Sequence, residues 1–440
     1  MDIFKLKQNG TTIKQELNAA LTTFLAMLYI VPVNALILSD AGMPKEALLV
    51  ATALITIIAT IFNGLWANTP VALSTGMGLN AYFTYSMVIG MQIPWQTALG
   101  AIFISSAIFT ALSFTNFRLW IIKNIPLDLR CAISAGIGAF ICFIGLSQMG
   151  LIVSNSATKV AIGDASDPKV LVGIAGIVLM ILFWALKVRG GFVLAIAVTS
   201  IGAWIFGIYE MPKDIVSMPV SIEPIFGELD IISALKISLL PAVLTLFVTH
   251  LFDSIGTLTG VGNRANLFEH ADGERKLAKN LESDAIASMA GAVMGTSTIT
   301  AFAESASGVE AGGRTGLTAV FVGMFFIFTL FFLPLFGSIP ANAIYPVLVM
   351  VGVLMFSELG KINYSDPAIC VSTFLTVTLM PLTYSITIGL SVGFISYFIV
   401  KLALRKWGDL NLGIITLAII SLFAFIASST PNLFKYILGN

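Results

Sequence analysis

The chain alternates long apolar runs with short polar connections along almost its whole length. Nine of the runs are long enough to cross the roughly 30 Å hydrocarbon core of a bilayer as helices. These nine lie near 18–38, 46–66, 94–114, 128–149, 169–187, 190–208, 238–260, 317–337 and 339–357. Weaker or interrupted runs lie at 68–91, 280–295, 296–313, 366–381 and 383–402. The pattern predicts an all-α polytopic membrane protein with fourteen transmembrane segments, followed by one more apolar run at 411–428.

Two of the interrupted runs, segments three and ten, share one order of residues. Residues 68–83 read NTPVALSTGMGLNAYF, and residues 296–316 read TSTITAFAESASGVEAGGRTG. Each begins like a short strand and passes through a small-residue break into a helix. Pro70 disfavours helix before it, and Gly76 permits the break. Irregular backbone at membrane depth is tolerated where it is buried or lines a cavity, and in transporters such segments hold the substrate.

Segments three and ten are seven apart in the predicted order, so they cross the membrane in opposite directions. This relation predicts a 7+7 inverted repeat with short strands in segments 3 and 10 and a binding site near the midplane. The two half-helices would point their N-termini at each other. A ligand between them would meet free N–H groups and partial positive charge.

The basic residues indicate the orientation. With a cytoplasmic N-terminus, seventeen of the 23 Lys and Arg residues lie inside and six lie outside, as the positive-inside rule expects. Residues 1–15 are polar and basic, and no convincing cleavage site follows the first apolar run. That run is therefore predicted to be a first spanning helix.

Composition supports the membrane class and excludes several functions. Hydrophobic residues make up 57% of the chain and charged residues 10%, against about 25% charged in soluble domains. The net charge of +0 gives no basic field for nucleic acid. The three cysteines, at 131, 142 and 370, lie in apolar runs without CxxC spacing, which argues against disulfides and zinc.

Few ionisable residues fall within the predicted spans. Asp253 lies in segment eight, and Glu304 opens the second half-helix of segment ten. A charged side chain at the bilayer centre costs about 2.5–3.5 kcal/mol on insertion scales. We therefore expect both carboxyl groups to contact ligand or carry a coupled proton. The alternative is an inter-helix hydrogen bond that fixes packing.

Three uncharged residues complete the candidate site. The Asn80 amide both donates and accepts, which suits the edge of a heterocycle, although it could instead cap or break the helix. Phe302 could stack on a flat ligand or simply pack. Gly78 lies at the segment-three break, where close helix packing is the commoner use of glycine.

Two other classes of function compete with proton-coupled transport of a flat ligand. Opposed helix N-termini also suit anions, so an anion exchanger or channel is the alternative, but two acidic residues and no basic one at the break weigh against it. His250, with Asp253 and Glu304, suggests a metal site or an intramembrane hydrolase. No second histidine lies near His250, and an HExxH motif and a nucleophile motif are missing, so we expect no enzyme, no metal and no cofactor.

Four motifs resemble the AzgA-type purine permeases of the nucleobase–ascorbate transporter superfamily. They are residues 11–27 (TTIKQELNAALTTFLAM), 75–83 (TGMGLNAYF), 251–258 (LFDSIGTL) and 304–319 (ESASGVEAGGRTGLTA). The resemblance covers nearly the whole chain. It implies a core domain (segments 1–4, residues 1–114, and segments 8–11, residues 236–337) and a gate domain (segments 5–7, residues 115–235, and segments 12–14 with the final apolar run, residues 338–440).

The same resemblance implies proton symport of adenine, guanine or hypoxanthine through the plasma membrane, the inner membrane of a bacterial cell. By position, the family's substrate residues fall on Asn80, Asp253 and Glu304, with the proton on one of the two acids. Thr257 stands where uracil-type relatives look to have a histidine. Residues 380–389 (MPLTYSITIG) lean towards the adenine branch. The superfamily is often dimeric through the gate domain, which implies a homodimer.

Overall fold

The computed structural model describes residues 3–115, 125–236, 239–263, 267 and 272–429. Within these residues, eight helices are long and apolar enough to cross a membrane, and four further apolar helices are 10–17 residues long. The fold is therefore mostly helical, as the apolar pattern predicts.

The elements follow the predicted segments in order. The first half contains α1 (Ile13–Met27), α2 (Ile30–Ser39), α3 (Lys45–Trp66), β1 (Leu73–Thr75), α4 (Met77–Ala81), a π-helical stretch (Tyr82–Gly90), α5 (Trp95–Ser113), α6 (Leu127–Gln148), β2 (Ile152–Asn155), β3 (Lys159–Ile162), α7 (Pro168–Ala185), α8 (Gly191–Ile205) and α9 (Ile231–Ala234). The second half contains α10 (Leu240–Asn263), α11 (Gly273–Val293), β4 (Ile299–Ala301), α12 (Ser305–Glu310), α13 (Gly316–Thr329), α14 (Leu333–Ser338), α15 (Ala341–Ile344), α16 (Pro346–Phe356), α17 (Pro367–Leu382), α18 (Ile386–Ala403) and α19 (Leu412–Ser429).

Several helices begin at side-chain caps that the sequence encodes locally. Asp167 accepts a hydrogen bond from the Lys169 N–H at the start of α7, where Pro168 is the first helical residue. Asp366 and Pro367 begin α17 in the same way. Thus α7 and α17, in predicted segments 6 and 13, share one starting motif.

The two predicted interruptions are confirmed as breaks that meet. β1 and β4 pair antiparallel, with Leu73 opposite Ala301 and Thr75 opposite Ile299. The Gly76 N–H donates to the Thr298 carbonyl at 2.9 Å, which lengthens the ladder. All residues of both strands are buried. Pairing within the protein satisfies backbone groups that lipid could not.

The helices pack in two bundles. The first bundle comprises α1–α5, α9, α11–α14 and the β1–β4 pair, and the second comprises α6–α8 and α15–α19. Helix α10 packs against α5 and α11 on one side and against α6, α18 and α19 on the other. Glycines bring helices together inside each bundle: a Cβ on Gly316 would lie 1.8 Å from the Gly64 oxygen, and one on Gly352 would lie 2.6 Å from the Gly138 oxygen.

Candidate functional site

The first carboxylate of the site lies at the start of α4. A Cβ built on Gly76 would lie 3.7 Å from Asp253 Oδ2, so the carboxyl group of α10 reaches the residue where α4 begins. Helix α4 and the π-helical stretch form one continuous run from Met77 to Gly90. The N-terminus of this run carries the positive end of its dipole, which favours an adjacent anion.

The second carboxylate, Glu304, lies between β4 and α12 and remains partly exposed. The Tyr29 hydroxyl donates a hydrogen bond to Glu304 Oε1. The Tyr29 ring lies 6.4 Å from the Phe302 ring and 5.8 Å from the Phe192 ring, centroid to centroid. Glu304 thus sits at the edge of an aromatic cluster that joins both bundles.

An accessible face leads away from these carboxylates along α10. Asp253, Gly256, Thr257 and Gly260 follow the helical spacing that places them on one face, and all four are at least partly exposed. Among the described residues, and apart from α10 itself, no atom lies within 4 Å of a Cβ built on Gly256 or Gly260. The open face therefore starts at Asp253 and continues towards the C-terminal end of α10.

Asn80 occupies a different environment behind the strands. Its side chain is fully buried, its Nδ2 donates to Asn34 Oδ1 at 2.6 Å, and its Oδ1 accepts from the Ser297 hydroxyl. The Asn34 amide also donates to the Thr52 and Thr296 hydroxyls, at 2.7 and 3.0 Å. In this conformation the Asn80 amide ties together the two breaks and the first transmembrane segment.

Gly78 faces the second bundle. A Cβ on Gly78 would lie 2.7 Å from Ile137 Cγ2 of α6, while the residue itself stays partly exposed. Phe302 is 5% exposed and packs on Tyr29. The structure therefore brings Asp253, Glu304 and Phe302 to the ends of the strands.

His250 pairs with a carboxyl group on the neighbouring helix α11. Its Nε2 lies 2.9 Å from Asp284 Oδ1, and both residues are almost completely buried. The ring also contacts Phe109 edge-on, with 4.7 Å between centroids. His250 is thus part of a packed pair with α11 and does not join Asp253 and Glu304 in one cluster.

Hydroxyl groups join the bundles beside the π-helical stretch. Tyr82 and Thr387 hydroxyls lie 2.8 Å apart, and the Ser86 hydroxyl donates to the Tyr384 carbonyl at 2.9 Å. Asp40 Oδ2 accepts from the Tyr85 hydroxyl at 2.6 Å and from the Tyr345 hydroxyl at 3.4 Å. Burial raises the pKa of the Asp40 carboxyl, and the two tyrosine hydroxyls oppose that shift.

Three residues of this region were not predicted from the sequence: Tyr29, Asn34 and Asp284. Pro32 was an available signal for Tyr29, because a proline without an N–H interrupts a helix about one turn before it. The structure has that interruption at residues 28–29, between α1 and α2. Asn34 and Asp284 were visible as polar residues in apolar runs, but their partners lie far away in the chain.

Comparison with known proteins adds to this geometry. A permease family model, Xan_ur_permease, matches residues 14–392. The adenine permease AdeQ of Escherichia coli (strain K12) is 43% identical over 422 residues, covering 96% of this chain and 94% of that protein. The guanine/hypoxanthine permease PbuG of Bacillus subtilis (strain 168) is 38% identical, covering 90% and 92%.

Solved structures share the fold at low identity. The transmembrane domain of a cyanobacterium bicarbonate transporter, BicA, superimposes with a TM-score of 0.61 at 13% identity, covering 94% of this chain and 97% of that domain. SLC26A9 gives a TM-score of 0.62 at 12% identity, covering 90% of this chain and 66% of that one. This likeness concerns the arrangement of helices.

Proposed function

Since the chain belongs to the Xan_ur_permease family of permeases, we propose that it imports a purine nucleobase, with adenine preferred, by proton symport. The chain is accordingly a multi-pass membrane transporter, and its family and relatives are permeases rather than enzymes. The observation that carries the proposal is the partly exposed Glu304 at the end of the paired strands, with Asp253 beside the start of α4.

The base lies between the two breaks in this proposal. Glu304 accepts hydrogen bonds from N–H groups on the edge of the base, and Phe302 offers an aromatic surface to its face. Gly78 and Thr257 border the same space from α4 and α10. Asn80 acts by holding the breaks in register, since its amide already bonds to Asn34 and Ser297.

The proton travels with the base on Asp253 or Glu304. A carboxylate taken from water into a closed site is costly when charged and unpaired, and protonation removes that cost. A site that closes around base and proton together therefore couples their movement. Reopening on the other side returns the carboxyl group to water, where it releases its proton.

Alternating access follows from movement of the two bundles, which we assign as core and gate. In this conformation the hydroxyl contacts of the π-helical stretch join the bundles, while the α10 face from Asp253 to Gly260 is accessible. With a cytoplasmic N-terminus and fourteen crossings, the joined side is extracellular and the accessible side cytoplasmic. The shared Asp-Pro start of α7 and α17 supports the inverted repeat.

Uptake of labelled adenine by cells that lack their own purine permeases tests the proposal. Expression of the chain should raise uptake at pH 5.5 more than at pH 8, and a protonophore should abolish the difference. Unlabelled guanine, hypoxanthine, xanthine and uracil then rank the substrates by competition. Adenine uptake that is absent, or independent of pH, would contradict the proposed symport.

Anion exchange on the same fold is the second candidate. The likeness to BicA and SLC26A9 favours it, and helix N-termini attract anions. The two carboxyl groups at the site disfavour it, because they would repel an anion unless protonated. Labelled bicarbonate and sulfate uptake, measured beside adenine uptake in the same cells, separates the two candidates.

A further inference from the structure

Tyr29 lies where the first transmembrane segment is broken. It follows α1, which ends at Met27, and precedes α2, which begins at Ile30. Its side chain is only 2% exposed, and its hydroxyl reaches across the bundle to Glu304, 275 residues later in the chain. The break at Tyr29 thus places a phenol beside the break at Glu304.

The hydroxyl restricts the orientation of the Glu304 side chain. A glutamate has three rotatable side-chain bonds, and an ionised carboxylate accepts through both oxygens. The Tyr29 hydroxyl engages Oε1, while Glu304 keeps part of its surface accessible. The hydroxyl therefore fixes one carboxylate oxygen of a residue that a ligand can still reach. Hydrogen bonds to charged groups are among the stronger ones in proteins.

The Tyr29 ring connects the site to the second bundle. Phe302, at the end of β4, lies on one side of it, and Phe192, in the first turn of α8, contacts it edge-on. The backbone is also close here, because a Cβ on Gly190 would lie 3.2 Å from the Leu25 oxygen of α1. A shift of the Tyr29 ring would therefore change the contacts of α8 with the first bundle.

We propose that Tyr29 is a positioning residue for transport: its hydroxyl orients Glu304 for the base, and its ring transmits the state of the site to the second bundle through Phe192. This inference rests on the proposed function. It assigns two separable roles to one side chain. Removing the hydroxyl should affect base affinity, whereas altering the Phe192 contact should affect turnover.

Tyr29→Phe tests the hydroxyl role with the ring preserved. The Kd of purified protein for labelled adenine should rise about tenfold, the scale of a lost hydrogen bond to a charged group. The pH at which uptake is half-maximal should also move upwards, because the hydroxyl stabilises the ionised form of Glu304. Tyr209→Phe is the matched control: it removes a hydroxyl that donates to Asn342 at 3.1 Å, and its Kd should stay within about twofold.

Phe192→Leu tests the ring contact while keeping an apolar side chain at this position. Its Kd for adenine should stay within about twofold, while the maximal uptake rate should fall several-fold. A Tyr29→Phe protein with wild-type Kd and pH profile overturns the orienting role. Equal changes in Kd for Tyr29→Phe and Tyr209→Phe overturn it too, and a wild-type uptake rate in Phe192→Leu overturns the transmitting role. Failure of the wild-type protein to bind any purine base would instead contradict the proposed function.

Discussion

The two breaks share a backbone arrangement but differ in chemistry. After β1, helix continues for two consecutive elements up to Gly90, and the amide within it, Asn80, is fully buried with both ends engaged. After β4, helix α12 ends at Glu310, and Glu304 stays partly exposed with a tyrosine hydroxyl as partner. One break is thus fixed from within the protein, and the other presents an ionisable group.

Because of this difference, we expect the segment-three break to serve mainly stability and the segment-ten break to serve mainly transport. A buried amide network favours a single arrangement, because each unmet hydrogen bond in an apolar interior is costly. An accessible carboxyl group can gain or lose a proton and a ligand as its surroundings change. We therefore expect substitutions at the segment-three break to act mainly on folding, and those at the segment-ten break to act mainly on transport.

Glu304→Gln should give the largest effect on transport. The amide preserves the shape of the side chain but removes the charge and the titratable proton, so adenine uptake should fall at least about 100-fold and lose its pH dependence. The melting temperature of the purified protein should change little. Glu46→Gln, at an exposed carboxylate in the first turn of α3, is the control and should leave uptake unchanged. Unchanged pH-dependent uptake in Glu304→Gln would remove this residue from the mechanism.

Asn80→Ala should affect folding more than affinity. The substitution leaves the Asn34 oxygen and the Ser297 hydroxyl without their partner in a buried site, at about 1–2 kcal/mol each. The melting temperature in detergent should fall clearly, and the remaining folded protein should still bind adenine. Asn155→Ala, in the exposed β2–β3 hairpin, is the control and should lower the melting temperature much less. A stable Asn80→Ala protein that fails to bind adenine would instead make this amide a direct ligand contact.

Local sequence signals predicted the breaks and their carboxylates. Pro70, the glycines around residue 76 and the alternation in 296–302 are properties of single segments, and they predicted both strands correctly. The environment of Asn80 was not predictable in this way. Its partners, Asn34 and Ser297, are 46 and 217 residues away, so their contact depends on how three segments pack. The role of Tyr29 was not predicted for the same reason, because its partner Glu304 is far away in the chain, although Pro32 indicated the helix interruption beside it.

The smallest expected effects concern one glycine after each break, Gly78 and Gly308, which differ in what an added methyl group would contact. A Cβ on Gly78 would meet Ile137 of the second bundle at 2.7 Å, whereas one on Gly308 would meet Thr23 of its own bundle at 2.0 Å. The methyl group of Gly78→Ala should therefore clash across the boundary between the bundles. The bundles can relieve this clash by moving relative to each other. The methyl group of Gly308→Ala should clash inside the first bundle, where close packing prevents such a movement.

Gly78→Ala is accordingly expected to lower the maximal adenine uptake rate about threefold with little change in melting temperature, because the contact with Ile137 lies between the bundles and their spacing can adjust. Gly308→Ala should instead lower the melting temperature. Gly260→Ala, whose new methyl group has no neighbour within 4 Å in the described part of the chain outside its own helix, controls for the loss of glycine itself and should transport at the wild-type rate. A melting temperature lowered equally by Gly78→Ala and Gly308→Ala would mean that both glycines pack within one rigid unit. The bundle boundary would then have to lie elsewhere than between α4 and α6.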